Sequence, residues 1–235
     1  ASGASTKSSI RSCGEAHNTK SSSSNIQINK IQLEKKLLAL DLDETLAHNG
    51  GSPVPGETCA LSFKGGESTY YIYTWTYVSE LLERVSELYT VVIFTASDKE
   101  YVDQVLDFLD PQGKLISGHY YYDSGTYLDH DGLCVNNHTG SYVKDLRLFG
   151  VDLKNVILVN NVPSNYRLQK NNGIPIKSWY FYTQDTELST LLPFLKTLAA
   201  ADDVRTVIAE IFSHIKNENK GCGGGKQDKS TKDTK

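Results

Sequence analysis

Apolar residues along this chain fall into short unbroken runs separated by stretches with helical spacing. Leu37-Leu38-Ala39-Leu40, Val91-Val92-Ile93-Phe94 and Val156-Ile157-Leu158-Val159 each end in polar or small residues. Runs of this kind predict strands buried on both faces. Between the first two, Val78, Leu81, Leu82, Val85 and Leu88 share one face of a helix over residues 77–88. Val102, Val105, Leu106 and Leu109 do the same over 99–109, and Asp110-Pro111-Gln112-Gly113 supplies a stop. Two more amphipathic helices are predicted over 185–198 and 204–215. Strands alternating with helices imply a parallel sheet covered on both faces. Residues 49–76 break the rhythm: Gly50-Gly51, Pro53, Pro55 and Gly65-Gly66 surround short runs such as Leu61-Ser62-Phe63, which predicts a small β insert after the first strand.

The ends of the chain carry no such pattern. Nine serines fall within the first 24 residues, and Gly221-Cys222-Gly223-Gly224-Gly225 precedes a Lys/Asp/Ser/Thr run. We expect disordered segments at 1–31 and 216–235 around a folded region at 32–215. The absence of any methionine, including a first one, points to a processed piece or a fragment.

Charge sharpens the division. Residues 1–36 carry six Lys/Arg against two Asp/Glu, and residues 216–235 carry six against three. With a net charge of −4 overall, the body between them holds 12 basic and 23 acidic residues, a net −11. Such a body makes a poor nucleic-acid surface, which needs dense Lys and Arg. No apolar stretch approaches the roughly 20 residues of a membrane span. Cys13, Cys59, Cys134 and Cys222 are far apart without metal-type spacing, which fits a reducing compartment, nucleus or cytoplasm.

In an open parallel sheet, chemistry gathers where strands end. The first run ends in Asp41-Leu42-Asp43-Glu44-Thr45, the second in Thr95-Ala96-Ser97, the third in Asn160-Asn161-Val162-Pro163. Two carboxylates at i and i+2 after a buried strand cost electrostatic energy unless a cation or a shared proton relieves them. A turn cap is the plain alternative for Asp43, and a hydrogen-bonded strand end for Asp41.

These blocks carry a resemblance. LLALDLDETLAH, VVIFTASDKEYVDQVLDFLDP, YVKDLRLFGVDLKNVILVNN and NGIPIKSWY occur in the order of haloacid dehalogenase-superfamily phosphatases of the small C-terminal-domain (NLI-interacting-factor-like) group. The resemblance spans residues 37–211. It implies an α/β, Rossmann-like three-layer fold with a central parallel sheet and a small β-hairpin or three-stranded insert after the first strand. It also implies Mg²⁺-dependent hydrolysis of phosphoserine or phosphothreonine through an aspartyl-phosphate. Asp41 matches the nucleophile, Asp43 the general acid and base, Thr95 a phosphate-binding hydroxyl, and Lys144 the balancing cation. Asp41, Asp43 and Asn161 match the Mg²⁺ ligands, with Asn160 behind them. Ser97, Tyr101, Trp75 and Thr139 fall at expected substrate-binding positions. The implied partner is a phosphorylated protein or extended peptide such as the RNA polymerase II C-terminal domain, met by a monomer with no direct nucleic acid and no membrane. Family members use the insert to recognise residues flanking the phosphoserine, and here the insert is expected to line an apolar, aromatic groove.

Three positions depart from the family pattern. Asn160 stands where an Asp is usual, and Trp75 and Thr139 stand where arginines are usual. The first loses a negative charge near the metal, and the others lose bidentate phosphate donors. A divergent phosphatase with weakened metal binding is the reading these residues favour. A phosphatase-like scaffold that no longer turns over is the alternative, with a lipin-type lipid phosphatase behind it.

Overall fold

The computed structural model describes residues 34–129, 140–181 and 186–221, with side chains to Phe212. In chain order the elements are β1 (Lys36–Leu40), β2 (Ala47–Asn49), β3 (Leu61–Gly65), β4 (Ser68–Thr74), α1 (Val78–Leu88), β5 (Tyr89–Phe94) and α2 (Lys99–Leu109). They continue with β6 (Gly118–Tyr120), β7 (Thr126–Leu128), β8 (Ser141–Val143), β9 (Val156–Asn160), β10 (Gly173–Pro175), α3 (Glu187–Ala200) and α4 (Val204–Gly221).

The three apolar runs form the middle of a five-stranded sheet in the order β10-β9-β1-β5-β6, with every pair parallel. β1 lies at the centre, and its alternate side chains feed two cores, as the period of two along a strand requires. Leu38 and Leu40 join Val91, Ile93, Ile157 and Val159 beneath α1, α2 and α3. Leu37 and Ala39 join Val92, Phe94, Val156 and Leu158 on the other face.

That second face departs from the expected helical cover. Leu146, Phe149 and Tyr166 close it from 3₁₀ turns at Leu146–Phe149 and Pro163–Asn172. The longer turn is kinked at Tyr166 and Gln169, and its polar side chains are used locally. Asn172 Nδ2 donates to the carbonyls of Leu153 and Val156, and Gln169 bridges Asp145 and the Leu146 N–H. A segment whose amides serve the backbone in this way has no continuous apolar stripe to sustain an α-helix. Gly173 is required beneath it, because a Cβ there would stand 2.1 Å from the Tyr166 ring.

The insert folds as a separate antiparallel sheet, β2-β4-β3, which begins at the buried Ala47 paired with Thr74. β7 and β8 form a further two-stranded sheet. α4 continues past residue 215, where the apolar period ends, to Gly221. The expected disordered segment 1–31 and the rest of the C-terminal tail from 222 lie outside the described residues.

The sheet register brings three strand ends level. Leu40 sits opposite both Ile93 and Val159, so Asp41, Phe94-Thr95 and Asn160-Asn161 emerge side by side at one edge.

Candidate active site

Asp41 extends β1 by one more ladder bond, its N–H donating to the Val159 carbonyl at 3.0 Å. The chain then turns tightly. The N–H groups of Leu46 and Ala47 both reach the Leu42 carbonyl, and Glu44 takes the left-handed conformation at φ 55°. Trp179 N–H holds the Glu44 carbonyl at 2.9 Å, which ties this turn to the segment after β10. Two carboxylates thus leave the strand end within a turn fixed by backbone bonds.

Their surroundings differ. Asp41 Oδ1 accepts from Lys144 Nζ at 2.7 Å and from the Leu42 N–H at 2.9 Å. Lys144 is fully buried, held through its own N–H by the Asn165 carbonyl, with Nζ 5.8 Å from the Phe94 ring centre. Burial pushes the Asp41 carboxyl up and the Lys144 ammonium down, and each partner's charge opposes that shift. A buried ion pair stripped of water is costly to maintain, and a lysine lying beneath a carboxylate is placed for an anion to arrive above both.

Asp43 is held by hydroxyls. Ser97 Oγ donates to Oδ2 at 2.5 Å, Thr95 Oγ1 to the same oxygen at 3.4 Å, and Tyr101 Oη to Oδ1 at 2.6 Å. Burial, and then the Asp43 charge, push the Tyr101 phenol far above its ordinary value, so it remains a donor. Thr95 is placed by β5: its N–H donates to the Tyr120 carbonyl, and its hydroxyl accepts from the Ser97 N–H at 3.2 Å. Tyr142 Oη donates to the Thr95 carbonyl at 3.1 Å. That ring rests against Gly125, where a Cβ would come within 2.0 Å of it.

The structure therefore brings these residues together as two bonded sets at one strand edge, Asp41 with Lys144 and Asp43 with Thr95, Ser97 and Tyr101. Ser97 and Tyr101, expected to touch substrate, direct their hydroxyls to Asp43. Tyr142 escaped the sequence reading, although it lies in the Tyr142-Val143-Lys144 block. Trp75 is a correction to its expected substrate-binding place. It is 3% exposed and packs edge-on against Trp179 at 5.8 Å, because a large apolar ring where β4 ends gains more from the core than from the cleft. Thr139 lies outside the described residues.

Asn160 ends β9 and Asn161 follows it, beside Asp41. Asn161 Nδ2 donates to Ser178 Oγ at 3.1 Å, which fixes the amide and assigns Oδ1 as its accepting side. Asn160 Oδ1 accepts from the Val162 N–H at 2.7 Å, while its buried Nδ2 has no partner among the described residues. No group of three or more His, Cys, Asp or Glu side chains stands ready for a metal among those residues. The donors that the family resemblance assigns are instead a carboxylate (Asp41), a backbone carbonyl (Asp43) and an amide oxygen (Asn161). An all-oxygen set with few protein charges fits Mg²⁺, which keeps much of its water shell.

With this geometry in view, comparison with known proteins is decisive for kinship. A family model described as NLI interacting factor-like phosphatase matches residues 36–205. The chain belongs to that family. It is 40% identical over 177 residues to a probable C-terminal domain small phosphatase of Dictyostelium discoideum, covering 74% of this chain and 54% of that protein. It is 36% identical over 179 residues to the human carboxy-terminal domain RNA polymerase II polypeptide A small phosphatase 1, covering 75% of this chain and 64% of the relative. The chain thus spans less than two thirds of the length of these relatives. Among solved structures, the fission yeast RNA polymerase II CTD phosphatase Fcp1 bound to beryllium fluoride shares 20% identity at a TM-score of 0.49, covering 79% of this chain and 56% of that one.

Beside Asp43 the family site opens into a cavity of about 570 Å³. The insert supplies Asn49 and Tyr70 to its wall, the start of α2 supplies Asp98 and Tyr101, and Tyr122 closes the far side with Glu44 nearby. Aromatic rings are present as expected, with Tyr70 stacked on Phe63 and tilted against Tyr101. The groove is not apolar, however, because Asp43, Glu44 and Asp98 share its lining. His48 contacts Glu44 at 3.1 Å and packs edge-on against Tyr180 and Phe181.

Proposed function

We propose that this chain is an Mg²⁺-dependent protein serine/threonine phosphatase that works through an aspartyl-phosphate on an extended phosphopeptide. One observation carries the reading: a carboxylate paired with a buried lysine lies beside a second carboxylate clamped by hydroxyls at the edge where three strands end. The relatives, among them a small phosphatase of the RNA polymerase II C-terminal domain, support it.

Asp41 is the nucleophile. One of its oxygens forms a bond to phosphorus as the bond from phosphorus to the serine oxygen breaks, and Asp43 gives the leaving oxygen its proton. Asp43 then removes a proton from water, whose oxygen attacks the same phosphorus and releases Asp41 with inorganic phosphate. Lys144 keeps positive charge beneath the phosphoryl group throughout, and Thr95 Oγ1 lies where a phosphoryl oxygen can take its hydrogen bond. Asp41, the Asp43 carbonyl and Asn161 would hold Mg²⁺, which would supply positive charge against the charge developing on the phosphoryl group. The work is positioning and charge neutralisation, which is what phosphoryl transfer chiefly asks of a protein.

The test is hydrolysis of a phosphoserine peptide and of p-nitrophenyl phosphate with Mg²⁺, comparing the wild type with a folded Asp41→Asn variant. Turnover should fall about a thousandfold or more on losing the nucleophile. Equal turnover in both would remove Asp41 from the reaction, and an inactive wild type at high Mg²⁺ would favour the scaffold reading.

A further inference from the structure

The cavity beside Asp43 is charged in an unexpected way for an enzyme that must receive a dianion. Asp43, Glu44 and Asp98 line it together with Tyr70, Tyr101 and Tyr122, and no Lys, Arg or His is among the described residues that do so. The internal segments outside the described residues, 130–139 and 182–185, contain no Lys or Arg in their sequence, their basic residues being His130 and His138.

The neighbouring basic side chains are already engaged, His48 with the pocket's own Glu44 at 3.1 Å. Lys144 is buried on Asp41. Lys99 is paired with Asp103 and lies over the Tyr121 ring. Lys64 is exposed on β3, one residue from Phe63, and alternation along a strand sends the two to opposite faces. Phe63 is the one that stacks on the pocket's Tyr70.

Asp98 adds a second, independent sign. It occupies the N-cap position of α2, where an aspartate normally accepts a backbone N–H, yet its side chain makes no capping bond. The residue lies in the pocket lining. A carboxylate withheld from the helix it precedes remains available to a ligand. Tyrosine faces beside carboxylates form a setting that suits a guanidinium or ammonium group, through ring quadrupole and ion pairing together.

We propose that this pocket selects phosphoserine peptides carrying arginine or lysine next to the phosphorylated residue, and disfavours peptides with acidic flanks or a second phosphate. This deepens the phosphatase reading and rests on it for the position of the phosphate. The cavity's width, the cube root of its volume, accommodates roughly two or three residues of extended chain at about 3.3 Å each. A basic side chain at a neighbouring position then meets Asp98, the lining carboxylate that neither the hydroxyls of Asp43 nor His48 on Glu44 occupy. The phosphate itself meets Lys144 and the metal, so charge reverses sign along the bound peptide from one end of the cleft to the other.

The experiment uses three phosphoserine peptides identical except for Arg, Ala or Glu at the two positions on each side of the phosphoserine. kcat/KM is measured with the wild type, and Kd by fluorescence anisotropy with the Asp41→Asn variant. The Arg peptide should exceed the Glu peptide by about tenfold in both, with Ala between them, as a few exposed ion-pair and cation–π contacts allow. Raising the salt to about 0.5 M should draw the three together through screening. Within Asp98→Asn the Arg-to-Glu ratio should drop by about threefold, a ratio that is independent of the variant's overall activity. Hydrolysis with no preference among the peptides, or preference for Glu, overturns the inference and leaves the phosphatase reading intact. Tighter binding of the Arg peptide without hydrolysis of any substrate by the wild type overturns the phosphatase reading and retains the pocket's selectivity.

Discussion

At the scale of single residues, the two aspartates of one short motif have been given opposite environments. Asp41 is buried on a lysine and one backbone N–H, whereas Asp43 has each oxygen occupied by a hydroxyl. Tyr101 and Ser97 thereby set which way the acid–base group faces. Tyr101→Phe should cut turnover of a phosphoserine peptide by about tenfold, since its leaving oxygen needs a well-aimed proton. It should affect p-nitrophenyl phosphate much less, because that leaving group departs without one. Equal losses on both substrates would make Tyr101 a packing residue only. Asn160 is the other informative residue. Its unpartnered buried Nδ2 is a donor where the family usually has an acceptor. Asn160→Asp should lower the Mg²⁺ concentration giving half-maximal activity by about tenfold, the scale of effects from groups just behind a metal ligand. An unchanged metal dependence would show that the departure is silent. The aspartate pair and Lys144 were legible in the sequence because they stand in contiguous motifs. The hydroxyl clamp and Tyr142 were not, because they depend on how β5, α2 and β8 come together in space.

At the scale of elements, long apolar patterns carried their message and short ones did not. β1, β5 and β9 and the helices α1 and α2 follow directly from unbroken apolar runs and helical spacing. β6, β7, β8 and β10 are three residues each, too short for any period to show. The end of α2 shows how local chemistry finishes an element. Asp110 turns its carboxylate on the N–H groups of Lys114, Leu115 and Ile116 at 2.8–3.0 Å. Burial pushes that carboxyl up, but the backbone donors of Ile116, Leu115, Lys114 and Gly113 together outweigh it and hold it below its ordinary value. A depressed native value means that the stabilisation is complete above the unfolded-state value of about 4 and is lost as the pH falls below it. Asp110→Ala should cost about 2 kcal/mol in urea unfolding at pH 7. The gap to the wild type should narrow by about pH 3, as the wild-type carboxyl gains its proton. A gap independent of pH would assign the loss to packing.

At the scale of the whole molecule, a parallel sheet with level strand ends collects groups that lie far apart in sequence. Asp41, Thr95, Lys144 and Asn161 come from four separate segments; the register Leu40↔Ile93 and Leu40↔Val159 makes three of them neighbours, and Lys144 is brought to Asp41 from beyond β8, with its own N–H on the Asn165 carbonyl. The acidic body seen in the charge count is in part this site: Asp41, Asp43, Glu44 and Asp98 lie at the same edge, with Trp75 in the core where the family has an arginine. Under the proposed reading such a site accepts a phosphate only where Lys144 and a metal supply the charge, and the remaining carboxylates choose the peptide around it. The account as a whole rests on Asp41 taking the phosphoryl group. Stopped-flow release of p-nitrophenolate by Asp43→Asn tests this most directly, because removing the base that activates water leaves the first transfer possible and stalls the second. A burst approaching one equivalent per enzyme, followed by slow turnover and recovery of the phosphate on Asp41 after a denaturing quench, is the predicted result. Linear release from the first moment, with no phosphate on Asp41, would contradict it.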